Sequence, residues 1–203
     1  MKAILNYLTI LTLSLLFTSH LSAQGIRFGL KAGMNYSSMY DQERSPNFHP
    51  SPKEGLAAGA FLSIDPIPII GLQPEIMFSQ KGYRAYGTNY EYELTSNHLD
   101  VPLLLKLKPA PFLHFVGGPM YSYKFSEHER FTSGSLTRSQ ESEFKTTVNK
   151  NTMAAIAGLD INIRHIVLSG RASWDLFNNN GDGTTTSPRY KNFFGQATIG
   201  YRF

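Results

Sequence analysis

The stretch Lys191-Asn192-Phe193-Phe194-Gly195-Gln196-Ala197-Thr198-Ile199-Gly200-Tyr201-Arg202-Phe203 places Phe193, Gly195, Ala197, Ile199, Tyr201 and Phe203 on one face of an extended strand. Side chains of a strand point alternately to its two faces. An alternating apolar face that ends on an aromatic residue predicts the closing strand of an outer-membrane β-barrel. The same ending makes the barrel assembly machinery of that membrane an expected partner through this strand.

Working back along the chain, seven further segments share the pattern. Their apolar faces are Ile26, Phe28, Leu30, Ala32, Met34 and Tyr36; then Leu56, Ala58, Ala60, Leu62 and Ile64; then Leu72, Pro74, Ile76 and Phe78; then Leu99, Val101, Leu103, Leu105 and Leu107. Residues 113–125 carry large apolar side chains in both registers. Met153, Ala155, Ala157, Leu159 and Ile161 follow, then Ile166, Leu168, Ala172, Trp174 and Leu176. The expected fold is all-β, an eight-stranded antiparallel up-and-down transmembrane barrel. Phe61, Leu104, Ile156, Val167 and Phe194 fall on the opposite face, so they belong either beyond the membrane or inside the barrel. Pro74, Pro102 and Pro119 lie within strands, and because a closed barrel has no free edge for a missing donor, bulges are expected there, above all at Gly117-Gly118-Pro119.

Connection lengths alternate. Residues 41–54, 82–97, 126–151 and 178–190 read as long polar loops, and residues 65–70, 108–111 and 164–165 as short turns. Long external loops and short periplasmic turns are the barrel rule, so both termini are expected on the periplasmic side. Aromatic residues then sort to two rims where rings meet lipid headgroups. Tyr36, Phe78, Tyr123, Trp174 and Phe193 form the outer girdle, and Phe28, Phe112, Tyr201 and Phe203 the inner one.

Residues 1–23 carry Lys2, an apolar run and Leu21-Ser22-Ala23 before Gln24, the composition of a secretory signal peptide. Its removal leaves residues 24–203 as one barrel domain with a formal charge of +3, since Lys2 accounts for one of the +4. That small, scattered excess does not suit a nucleic-acid partner, whereas outer-membrane lipid is expected. There is no cysteine, hence no lipid-modified amino terminus and no disulfide framework.

Four stretches carry a family resemblance: Gly29-Leu30-Lys31-Ala32-Gly33-Met34-Asn35, Gln73-Pro74-Glu75-Ile76-Met77-Phe78-Ser79-Gln80-Lys81-Gly82, Leu99-Asp100-Val101-Pro102-Leu103-Leu104-Leu105-Lys106 and Gly117-Gly118-Pro119-Met120-Tyr121. They resemble successive motifs of the PorT-like outer-membrane β-barrel family, also labelled porin family proteins. The resemblance covers essentially all of residues 24–203. It implies an eight-stranded outer-membrane barrel and supplies no catalytic, cofactor or metal residues.

The polar strand faces contribute Arg27, Lys31, Glu75, Lys106, Asp160, Arg171, Asp175 and Arg202. In a membrane barrel they point into the lumen, which eight strands make just wide enough for side chains to fill. A neutralising charge network is expected there; the alternative is a narrow, gated path for ions or small solutes. His98 with Asp100 and His165 with Asp175 are the only His/acid groupings that could suggest a rim-active enzyme, and neither has a nucleophile at a known spacing. Residues 178–183 begin like a calcium loop, but Arg189 stands where a bidentate glutamate belongs. No cofactor and no metal are expected. Function is expected in the loops, through an envelope or extracellular protein partner. A secreted lipocalin-like barrel, with the apolar face turned inward around a ligand, is the soluble competitor.

Overall fold

The computed structural model describes residues 25–41, 50–87, 90–133, 136–141, 150–177 and 190–203. The expected signal peptide, the residue 178–183 motif and Arg189 lie outside them. The strands are β1 (Ile26–Asp41), β2 (Pro50–Ile64), β3 (Ile70–Gly87), β4 (Tyr90–Ala110), β5 (Leu113–Ser133), β6 (Leu136–Glu141), β7 (Asn151–Ile163), β8 (Ile166–Asp175) and β9 (Tyr190–Arg202). All pair antiparallel. Each neighbours the next in the chain except at β6, and β1 closes on β9.

β6 pairs only with the C-terminal part of β5, from His128 to Ser133, and takes no place in the wall, so the barrel has eight strands. Following partners once around, Ile26 faces Ile64, then Leu72, Leu105, Gly117, Ala157, Ala172 and Gly195, and the path returns to β1 at Tyr36. That stagger of ten residues tilts the strands and decides which lumen side chains meet.

The apolar faces all point outward, as their alternation predicts. The five residues that break the pattern point inward and are buried: Phe61, Leu104, Ile156, Val167 and Phe194. Leu104, Val116, Met120, Ala154, Ile156 and Phe194 form one packed cluster, so the lumen filling is part hydrocarbon and part charge.

Two expectations are corrected. Register is unbroken through Pro74, Pro102 and Pro119. Each proline removes only one donor from one ladder, and the sheet tolerates that without an inserted residue. The irregularities sit elsewhere, between Pro52 and Ala57, between Asn97 and His98, and at the turn between Leu107 and Ala110. At the second of these, Phe125 is the unpaired residue of β5 and turns outward onto Phe78, with ring centroids 6.0 Å apart.

Residues 82–97 and 126–141 are also mostly strand and not loop. β3, β4 and β5 run on past the rim, and β6 adds to them as a raised sheet. The eight residues from Tyr90 to Asn97 continue β4 by about 26 Å along the strand. Its sequence signal, Tyr90-Glu91-Tyr92-Glu93-Leu94, is itself alternating. Tyr83 packs on Tyr92 at 5.9 Å, and Lys53 pairs with Glu93 at 2.7 Å. The hydrogen bond from Lys53 holds the Glu93 carboxyl below its ordinary range.

Candidate functional site in the barrel lumen

The wall turns hydrocarbon outward and charge inward. From Phe28 to Tyr36 on β1 is about 26 Å along the strand, roughly 20 Å after a tilt near 40°. Within that band no described outward side chain is charged, and Leu30, Met34, Leu103, Leu105 and Ile199 are each about half exposed. A soluble monomer does not expose apolar surface on this scale. Lys31, Glu75, Asp100, Asp160 and Arg171 are meanwhile buried in the interior. This polarity is the reverse of a lipocalin and requires hydrocarbon outside.

At mid-depth, four charges from four strands form a neutral network. Lys31 Nζ donates to Glu75 Oε2 at 2.5 Å, and Arg171 Nη1 donates to the same oxygen at 2.7 Å. Arg171 Nη2 reaches Asp160 Oδ1 at 3.1 Å, and Gln73 Nε2 bridges Glu75 Oε1 at 2.8 Å to Asp160 Oδ2 at 3.2 Å. Each side chain of the four is nearly inaccessible. Gly158, the cross-strand partner of Arg171, makes room for it: a Cβ there would lie 2.8 Å from Arg171 Cγ.

Nearer the end that carries the raised sheet, Lys81 Nζ donates to Asp100 Oδ1 at 2.9 Å and sits 4.4 Å from the centre of the Phe194 ring. Ser122 donates to the same carboxylate oxygen at 2.5 Å. His98 lies between hydroxyls, Nδ1 3.0 Å from Ser122 Oγ and Nε2 3.0 Å from Ser96 Oγ. Ser and Asp thus join His98, but all four are buried, and the carboxylate bonds the hydroxyl and the lysine rather than orienting the imidazole. The carboxylate therefore does not hold the base as the third group does where a nucleophile is activated.

The opposite end, which carries Ile26 and Phe203 and for which the name inner is only a label, holds a separate cluster. Lys106 and Lys108 share Asp65 Oδ1 at 2.9 and 3.0 Å, and Lys106 also donates to Ser63. Burial pushes the Asp65 carboxyl up, but hydrogen bonds and charge from Lys106 and Lys108 outweigh it and hold the group at about 2. Gly71 is required here, because a Cβ would lie 2.3 Å from Asp65 Oδ1.

Residues 21–180 match the family described as "Outer membrane protein beta-barrel domain". The chain belongs to that family. Among solved structures it is similar to Ail, the attachment invasion locus protein of Yersinia pestis, at 12% identity and a TM-score of 0.52 over 89% of this chain and 99% of Ail. A second Ail structure, in complex with the heparin analogue sucrose octasulfate, matches at 12% identity and 0.52 over 88% and 99%. Neisserial surface protein A matches at 10% identity and 0.49 over 87% and 97%. No curated protein sequence matches. This family member is therefore an integral outer-membrane β-barrel.

Of the eight lumen charges expected to form one network, four meet: Lys31, Glu75, Asp160 and Arg171. The other four do not join them. Lys106 belongs to the Asp65 cluster, and Asp175 accepts from Asn192 N and Nδ2 at the opposite end. Arg202 donates to Asn162 Oδ1 and Arg164 O, and Arg27 is exposed at the inner mouth. Strand polarity was enough to point these side chains inward, whereas their depth along the axis separates them. Reading by strand missed Lys81, Asp65, Lys53 and Gln73, whose charged partners on other strands, Asp100, Lys106, Glu93 and Asp160, lie 19 to 87 residues away in the chain. His165, in the turn that precedes β8, has Nδ1 2.9 Å from Arg202 O, and Asp175 lies at the far end of that strand. Among the described residues, no group of three or more His, Asp or Glu could hold a metal.

The nine aromatic residues face outward. Tyr36, Phe78, Tyr123, Trp174 and Phe193 lie toward one end of the band, with Trp174 and Phe193 in contact at 6.0 Å. Phe28, Phe112, Tyr201 and Phe203 lie toward the other, where Phe203 stacks on Phe28 at 5.8 Å and meets Tyr201 edge-on at 5.1 Å.

Proposed function

We propose that this protein is a non-enzymatic display scaffold, a lipid-anchored barrel that holds the raised β3–β4–β5–β6 sheet toward an envelope or extracellular protein partner. One observation carries the reading: the lumen is filled by paired charges and the Leu104–Phe194 cluster, while the strands continue past the rim. The named role of Ail in attachment favours the same use of the raised end. In this reading the signal peptide is cut after Ala23, both termini face the periplasm, and the assembly machinery engages β9 through its aromatic end. In the same reading, the resemblance of the four motifs allies the chain with the PorT-like proteins of the family. No nucleic acid, cofactor or metal takes part.

Replacing residues 84–93 and 128–141 by two-residue turns tests the proposal. The expected variant keeps the heat-dependent gel mobility of a folded barrel, and outer-membrane vesicles carrying it lose adhesion to extracellular-matrix or cell surfaces. Unchanged adhesion would refute display. Steady single-channel conductance from the wild type in planar bilayers would move the function to the lumen.

A further inference from the structure

The display reading leaves the inner mouth of the barrel unused. A depression of about 530 Å³ opens there between the β2–β3 and β4–β5 turns, within the size range of small-molecule sites. Pro66, Pro68, Pro109 and Pro111 line it, and a locked φ at four positions makes both turns stiff. Arg27, Lys108 and Arg202 also line it, and Lys106 lies beneath.

The charge there is unbalanced, unlike the neutral network at mid-depth. Four cations face one carboxylate, Asp65, which Lys106 and Lys108 already share. Register puts Arg202 opposite Gly29, so Arg27 and Arg202 are diagonal cross-strand neighbours, roughly 7–8 Å apart by strand geometry. Like charges at that spacing repel, and nothing in the fold requires them to be together.

Donors are in surplus as well. Arg27 makes no hydrogen bond or ion pair among the described residues, although its guanidinium carries five N–H groups. Arg202 uses two donors, on Asn162 Oδ1 and Arg164 O, and Lys108 uses two of three, on Asp65 and the Ile67 carbonyl. Ile67, half exposed, adds an apolar wall. Guanidinium forks suit phosphate oxygens and a lysine adds point charge.

We propose that the inner mouth binds an organic phosphate, its phosphoryl group held by Arg27, Lys108 and Arg202 and its apolar body laid against Ile67, Pro68 and Pro111. A surplus of this size accommodates a phosphomonoester or a lipid phosphodiester. If the inner mouth faces the periplasm, as the display reading has it, the source is either a soluble phosphoester or a headgroup of the inner leaflet.

The test uses the folded protein in a neutral detergent, titrated with phenyl phosphate at constant ionic strength, with phenol as the uncharged control. Saturable binding of phenyl phosphate is expected, with phenol at least about tenfold weaker. Arg27→Gln weakens binding about tenfold, which corresponds to about 1.4 kcal/mol. Arg27→Lys, which keeps the charge and loses the fork, falls between. Arg164→Gln, a basic residue of the neighbouring turn that does not line the depression, changes it less than twofold. Heat-dependent gel mobility checks that each variant is folded. Nanodiscs then separate the sources: displacement of phenyl phosphate by phosphatidylglycerol but not phosphatidylcholine assigns the site to a lipid headgroup, and equal binding in both assigns it to a soluble phosphate. Weakening by Arg164→Gln as large as by Arg27→Gln, or no saturable binding together with phosphatidylglycerol retention unaffected by Arg27→Gln, would overturn the proposal.

Discussion

The two faces of one wall obey opposite rules. On the outside, Leu103 and Ile199 expose about half their surface, while on the inside Lys106 and Asp100 are about 1% exposed. In water this would be inside out. In a bilayer the outer face needs no polar partner, and the inner face must satisfy every charge within a lumen too narrow for bulk water. The outer face should therefore tolerate exchange of one apolar residue for another, and the inner face should depend on particular partners.

The largest effect should come from breaking the inner rule. Glu75→Ala removes the oxygen that accepts from both Lys31 and Arg171. It should destabilise the barrel by roughly 3–5 kcal/mol, because two buried cations are left with one carboxylate. Lys31→Met with Glu75→Leu should cost less than Glu75→Ala alone, since a pair is removed and Arg171 keeps Asp160. Urea unfolding of the lipid-reconstituted protein measures both, and a double variant weaker than the single would contradict the comparison.

The outer rule is sharpened by depth. Leu103→Arg, near the middle of the apolar band, should cost roughly 2–4 kcal/mol, and Met153→Arg, level with the outer aromatic residues, roughly 0–1 kcal/mol. Equal costs at the two positions would show that the band is not centred where its aromatic rims imply.

Asp65 gives the smallest effect, and its sign follows from its environment. Its carboxyl is held at about 2 against an ordinary 3.8, so the stabilisation from its pairing with Lys106 and Lys108 is full above about pH 4. It is lost as pH falls through about 2. Asp65→Asn should be slightly less stable than wild type at pH 7 and flatter between pH 4 and pH 2, as read from unfolding midpoints across that range. A parallel pH dependence in the two proteins would remove Asp65 from the acid-sensitive set.

The two faces were not equally legible. On seven strands the outward residues were readable, because lipid asks only for hydrocarbon and a strand presents it at every second position, whereas residues 113–125 are apolar in both registers and only the fold chose their face. The inward charges were readable as inward, and Arg27 shows the limit: its face was right, but its place at the mouth leaves it without a hydrogen bond or ion pair among the described residues. Lys81 was overlooked although Asp100, its partner, lay in a motif already singled out. Residues 82–97 were misjudged because polar residues that pair with one another outside a membrane look like those of a loop. The proline bulges were expected from donor loss alone, and the ladder on the other side of each strand keeps the register.

Sequence by itself thus determined the strand number and the two alternating faces, which follow from a period of two, while terminal Phe203, the aromatic rims and the loop lengths favoured lipid outside. The tertiary structure decided who meets whom inside. A stagger of ten residues around a closed wall brings Lys31, Glu75, Asp160 and Arg171 to one depth and leaves Arg27, Lys108 and Arg202 together at the mouth. Depth in a tilted barrel depends on the register of all eight pairings, and a single strand carries no record of it.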